Sequence, residues 1–362
     1  MKLFFCGDIM PGGVLPYQDQ YITPELMEYM KGFDFRIGTL EAAIGTGLSY
    51  DPVKMNGRQN IVYARNEDFF RVKEMGFDVV SLANNHIWDL DEAGLRNTIR
   101  LLQEHDIQYL GADVNIKEAS KPVVLEKDGI KVALLAYCAG PEYLGYVETA
   151  GEDKGGVNPF DIERVKNDIN KCRKKCDKVI VLPHWGKEYQ CEPLPQCVSL
   201  AKQMICAGAD AVLGSHPHVV QPCIKYKQGY ICFSMGNFLF PDFYMYPPRP
   251  IWYPDSSVDL STIEDINDYP YPIEKPQKRV WNSNSRCGCV ISLSIEKNKT
   301  SVERLFINSS NDNIISLNNP EQTILKRLNA STMFLTNAPY RLMVKSKRKV
   351  KSIINKGLST KG

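Results

Sequence analysis

The chain has five histidines in 362 residues, and four of them stand in short polar motifs that directly follow apolar runs. Asn84-Asn85-His86, with Asp89 beyond it, follows Val79 to Leu82; His184 follows Val179 to Leu182; Ser215-His216-Pro217-His218 follows Ala211 to Leu213. Asp8, in Gly7-Asp8-Ile9-Met10 after Leu3 to Cys6, and Glu41, which closes Phe35 to Leu40, place carboxylates in the same kind of position. Taken singly, each has a plainer reading. Gly-Asp after a strand is commonly a turn or a helix cap, and an Asn doublet is commonly a turn. A lone buried histidine is usually a satisfied core residue. The repeated layout, apolar run and then ligand-type residue, is what points to chemistry. His-x-His in an extended backbone would put both imidazoles on one face. Nitrogen and oxygen donors without thiolate suit one or two divalent ions such as Mn, Fe, Zn or Ni. Two such ions held roughly 3.5 to 4 Å apart are the arrangement used for displacement at phosphate esters.

The elements that must position these residues are legible as βα alternation. Besides the five apolar runs above, Val132 to Ala136 reads as a buried strand. Asn66 to Met75, Asp91 to His105, Asp161 to Lys174 and Leu194 to Ala207 carry apolar residues at helical spacing. Strands alternating with helices predict an α/β sheet, in which ligand groups gather at the carboxyl ends of strands. From 241 to 286 the pattern gives way to prolines and tyrosines, and this segment reads as an insertion or lid. Cys287 to Glu296 and Ser301 to Phe306 again read as strands, joined by a turn at Lys297-Asn298-Lys299, that return to the main sheet system within 287–320. Residues 321–362 read as a helical and then basic tail.

The ordered motifs Gly7-Asp8-Ile9-Met10, Thr39-Leu40-Glu41, Asn84-Asn85-His86 with Asp89, His184-Trp185-Gly186-Lys187-Glu188-Tyr189, Ser215-His216-Pro217-His218 and Ser234-Met235-Gly236-Asn237-Phe238 span residues 2 to 240. In that order they resemble the calcineurin-like metallophosphoesterase superfamily and, more closely, the CapA family of capsule and poly-gamma-glutamate synthesis proteins. The resemblance implies a four-layer α/β/β/α sandwich over 1–240. It implies one metal held by Asp8, Glu41 and His218 and another by Glu41, Asn85, His184 and His216, with Glu41 bridging. His86 would be a catalytic imidazole that is not a ligand. Two residues depart from the superfamily: Met10 stands where a ligating His is common, and Glu41 replaces a bridging Asp. Asn84, Trp185, Glu188 and Asn237 are the candidates for substrate contact, with packing the competing reading for Trp185 and a turn-fixing role for Asn237.

Composition narrows the alternatives. With 43% hydrophobic and 24% charged residues the chain reads as a folded globular protein. Its eleven cysteines include no paired CxxC motifs and no Cys-His-Asn layout around Cys138, Cys191 or Cys223, so reduced thiols are expected. Eight of the 44 basic residues fall between Arg341 and Gly362, where no acidic residue occurs, so the body is net acidic and no nucleic-acid partner is expected. No apolar run has the roughly 20 residues a membrane span needs, and the amino terminus does not read as a signal peptide. The expected location is cytoplasmic, and the basic tail reads either as a solvated, frayed terminus or as a segment that contacts the inner face of the membrane. Two functions fit: a metal-dependent hydrolase acting on an anionic polymer or a phosphorylated or glycan substrate during capsule, exopolysaccharide or poly-gamma-glutamate assembly, or a non-catalytic assembly scaffold with a vestigial metal site.

Overall fold

Lys2–Ile9 is buried along all but its first residue, which explains a near-continuous apolar run instead of strict alternation: a strand covered on both faces has no polar side. In a computed structural model, which describes residues 1–46, 61–247, 251–267, 274–296 and 299–337, this strand is central to an eight-stranded mixed sheet. On one side it pairs in parallel with Phe35–Leu40, which is followed by Val79–Ser81 and Gln108–Leu110, also parallel. On the other it pairs antiparallel with Cys287–Ile295, which continues to Thr300–Ser309 and Ile315–Leu317. Cys287–Ile295, from the carboxyl-terminal third, thus lies directly beside the amino-terminal strand. The turn between them at Lys297-Asn298, and the basic tail from Arg341, lie outside the described residues.

A second, six-stranded sheet holds Ile130–Cys138, Lys178–His184 and Ala211–Leu213 in parallel, edged by Val123–Lys127 and by the hairpin Cys223–Tyr226 and Gly229–Cys232. One hydrophobic core runs through both sheets. They approach closely at Gly111, where an added Cβ would lie 2.6 Å from the Ala83 and 3.0 Å from the Ala136 methyl carbon. Ile162–Arg173 and Pro195–Cys206 pack on the second sheet, and Asp91–Glu104 packs beside the first. The layers are therefore helix, sheet, sheet, helix, the α/β/β/α order anticipated.

Local signals account for the helices. Asp161 caps Ile162–Arg173 by accepting from the Arg164 N–H at 2.9 Å. The buried stripe Val165, Ile169 and Cys172 then recurs at helical spacing, and each buried aliphatic residue is worth about 1.5–3 kcal/mol. Pro24–Lys31, which the apolar pattern alone does not reveal, starts from a Thr23 cap with proline at its first position. The insertion also contains order that its composition hides, a small sheet of Phe243–Met245, Ile251–Trp252, Glu264–Ile266 and Gln277–Arg279. It covers a second apolar cluster that includes Met10, Phe240, Phe243 and Trp281. The buried Asp242 carboxylate ties it down, accepting from Arg286 at 2.8 and 3.0 Å and from the Trp281 N–H at 2.9 Å. Among the described residues no helix is long and apolar enough to cross a membrane.

Candidate metal centre

The strand ends meet at the seam between the two sheets. Asp8 lies near the end of Lys2–Ile9, Glu41 directly after Phe35–Leu40, and Asn85 and His86 in the turn after Val79–Ser81, all from the first sheet. His184 ends Lys178–His184, and His216 and His218 follow Ala211–Leu213, from the second. The His-x-His segment departs from the expected extended strand. It is a bend in which His216 and His218 have φ of 95° and 54°, so the turn of the backbone, not a strand face, aims the rings. Non-glycine residues held at such angles cost about 1–3 kcal/mol each, a strain that concentrates at functional sites.

Two groups of donor atoms result, Glu41 with His184 and His216, and Asp8 with Glu41 and His218, each within 4.8 Å. Glu41 Oε1 is common to both: it lies 3.2 Å from His184 Nε2, 3.9 Å from His216 Nδ1 and 3.8 Å from His218 Nε2. Asn85 Oδ1 sits 2.8 Å from the same His184 Nε2, while Ser215 Oγ holds the opposite ring nitrogen at 2.9 Å. The Asn237 amide N–H donates to Ser285 O, so its Oδ1 accepts the His218 Nδ1–H at 2.8 Å. That bond leaves the His218 Nε2 lone pair directed toward Glu41, the outer-partner arrangement by which ligating imidazoles are oriented.

The site's chemistry fits a cation. Among the described residues, Asp8 Oδ1, both Glu41 carboxylate oxygens and both His216 ring nitrogens are buried without a hydrogen-bond partner. Leaving such groups unpaired is costly, and a divalent ion would satisfy them together. Burial raises the Asp8 carboxyl to about 7. Burial and then the neighbouring Asp8 charge push Glu41 well above its ordinary value. Burial, reinforced by mutual repulsion, holds His184 and His216 well below the usual imidazole range, and it brings His218 to about 3. The imidazoles are thus neutral and have lone pairs to give.

The remaining residues sort by contact. His86 Nδ1 lies 2.6 Å from Asp89 Oδ2, and Asp89 is anchored by the Val62 N–H at 2.7 Å. Burial pulls the His86 imidazole down, but the Asp89 charge and hydrogen bond, with Glu188 and Asp8, outweigh it and leave its pKa raised. Asn84 does not reach the donor cluster: its amide donates to Leu40 O at 2.8 Å and its carbonyl accepts the His86 N–H at 3.0 Å, fixing the turn. Trp185 is buried, with its backbone N–H donating to Ser215 O at 3.2 Å and its indole N–H to Phe233 O at 3.0 Å, the contacts of a packing residue. Glu188 is half-buried and near enough to act electrostatically on both His86 and Glu41. Met10 is buried in the apolar cluster under the insertion, with no nitrogen to offer. Sequence reasoning missed Ser215 as the partner of His184, and it missed Trp281, whose ring lies 5.3 Å from that of His218. Nothing in the aperiodic insertion signals that Trp281 comes back to the site.

Two sheets packed between helices, with nitrogen and oxygen donors gathered where strands of both sheets end, define an α/β/β/α protein with a candidate metal centre at the seam of its sheets. Residues 2–242 match the family described as "Bacterial capsule synthesis protein PGA_cap", and the chain belongs to that family. The capsule biosynthesis protein CapA of Bacillus anthracis is 34% identical over 261 residues, covering 66% of this chain and 60% of that protein. The PGA biosynthesis protein CapA of Bacillus subtilis (strain 168) is 30% identical over 242 residues, covering 65% and 62%. The match therefore spans about three fifths of the length of each relative. The 5'-nucleotidase from Candida albicans SC5314 aligns with 97% of this chain and 57% of its own, with a TM-score of 0.44 and 11% identity.

Proposed function

We propose that this chain is a divalent-metal-dependent hydrolase, or a related transfer enzyme, that acts on an anionic polymer or a phosphorylated or glycan substrate during bacterial capsule or poly-gamma-glutamate assembly. The observation that carries the reading is the convergence of Asp8, Glu41, Asn85, His184, His216 and His218 around buried polar atoms that have no hydrogen-bond partner among the described residues. Asp8, Glu41 and His218 would hold one ion, and Glu41, Asn85, His184 and His216 another. Ions there would supply Lewis-acid charge to an ester or carbonyl oxygen and make water a better nucleophile near neutral pH. The chain's own groups do the rest. His86, kept protonated by Asp89, would give a proton to the leaving oxygen, and Glu188 would contact the substrate at the rim. Asn237 and Ser215 hold His218 and His184 in orientation. Attachment at an anionic membrane surface through the tail beyond Arg341 belongs to the same proposal.

One observation favours a second reading. Met10, which stands where the resembled superfamily commonly has a ligating His, fills an apolar cluster, so among the described residues the Asp8 site has Asp8, Glu41 and His218 alone. A scaffold that binds polymer without turning it over would need no more. The experiment that separates the readings is metal analysis of the purified chain, followed by assay on generic phosphate monoesters and diesters with Mn supplied. Bound metal with hydrolysis supports the enzyme; bound metal without hydrolysis of any ester supports the scaffold or a substrate without phosphate.

A further inference from the structure

Away from that centre, Cys223, Cys232 and Cys289 bring their three sulfur atoms within 4.8 Å of one another. We propose that they form a second metal site, a three-thiolate centre for zinc or a similar borderline divalent ion. Cys223 and Cys232 face each other across the antiparallel hairpin of the second sheet. Cys289 comes from Cys287–Ile295 in the first sheet, so the cluster bridges the sheets. Zinc–sulfur bonds of about 2.3 Å put tetrahedral sulfurs about 3.8 Å apart, so these atoms need draw in by only about 1 Å. Thiolate donors select zinc-like or softer ions, whereas the first centre offers nitrogen and oxygen donors without sulfur. Charge argues for a divalent ion: with three thiolates it leaves one negative charge, and the Arg304 guanidinium acts electrostatically on all three sulfurs. Cys232 and Cys289 are buried and Cys223 is partly exposed, which gives the ion an entry path and water a fourth position.

Coordination replaces each S–H bond with a metal–sulfur bond and releases the proton to solvent, and no sulfur changes oxidation state. The ion would pin the segment that carries the metal-centre residues: Cys223 follows the His216–His218 bend, Cys232 precedes Asn237, and the Cys289 N–H donates to Met235 O at 2.8 Å.

The test uses Co2+ alone as probe on the reduced full chain under anaerobic conditions. Thiolate-to-cobalt charge-transfer absorption can arise only from a sulfur site, so it reports on this cluster independently of the first centre. We expect the band to saturate as Co2+ is added, to vanish on adding Zn2+, to persist in His216→Ala and Cys206→Ser, and to be lost in Cys223→Ser. Because Cys223 is partly exposed, its serine variant should fold even where Cys232→Ser does not. Zn2+ should raise the melting temperature of His216→Ala by more than that of the Cys223→Ser/His216→Ala double variant, in which only the Asp8, Glu41 and His218 donors remain. Absence of the band, its retention in Cys223→Ser, or peptide mapping that finds a Cys223–Cys232 disulfide in the isolated protein would each overturn the proposal.

Discussion

Among the described residues, both His216 ring nitrogens are buried without a hydrogen-bond partner, whereas His184 and His218 each have an orienting one. Replacing His216 by Ala should therefore lower metal occupancy strongly, measured by elemental analysis after purification without chelator. His105→Ala serves as the control, since that exposed ring stacks on Phe69 at the end of a helix and should leave metal content unchanged. Equal loss in both variants would remove the metal assignment. His86 makes a different case, because its bond goes to Asp89 and not to the donor cluster. His86→Ala should slow hydrolysis by roughly a hundredfold or more while metal content stays near that of the parent, as expected for a general acid. Its raised pKa gives the sign of the pH dependence: a protonated imidazole is retained to higher pH than in an ordinary histidine, and activity falls as pH rises through that value. Asp89→Asn removes the main raising partner and should move the alkaline limb of the kcat profile to lower pH. An unmoved limb would mean that another group is the acid.

Strand geometry sets how near these residues can come. Asp8 pairs with Asn237 in parallel, and its N–H donates to Gly236 O at 3.1 Å. This leaves no room beside Gly7, where an added Cβ would fall 1.8 Å from the Gly236 oxygen. That the glycine before Asp8 permits close backbone approach was readable from the motif; that the approach is to Gly236 was not. Gly7→Ala should force Asn237 away from Asp8, destabilise the fold by about 1–3 kcal/mol as overpacking does, and weaken metal binding with no ligand removed. Chemical denaturation and metal titration of the same variant check both effects, and normal metal affinity in a destabilised variant would break the link between them. The insertion offers a second test. Asp242→Ala strands the buried Arg286 charge and should cost about 3–5 kcal/mol. The elements most visible in the sequence were those with buried apolar runs, such as Phe35–Leu40 and Ala211–Leu213, whose bounds agree with expectation. The insertion's strands were not visible, because two or three residues held by Asp242 and Trp281 need no periodic pattern.

Charge is distributed over the whole molecule as an acidic body and a basic end, with eight basic residues from Arg341 onward and no acidic one. Near anionic headgroups each basic residue contributes about 1 kcal/mol, an attraction that salt screens. Co-sedimentation with anionic vesicles should occur at low salt, weaken as salt rises, and vanish on truncation after Tyr340; binding that survives truncation would show that the tail is not the anchor. The identities of the candidate ligands were set by the sequence alone, because a ligand-type residue that ends an apolar run is read from one dimension. The same holds for the βα order. What only the tertiary structure decided is that the ligands come from two sheets and not one. Asp8, Glu41 and Asn85 belong to the first and His184, His216 and His218 to the second, and they meet because both sheets bury their apolar faces in one core. The bend that turns His216 and His218 inward, the return of Trp281 to His218, and the meeting of Cys289 with Cys223 and Cys232 have the same origin. Each depends on contacts between residues far apart in the chain, and such contacts leave no local spacing to read.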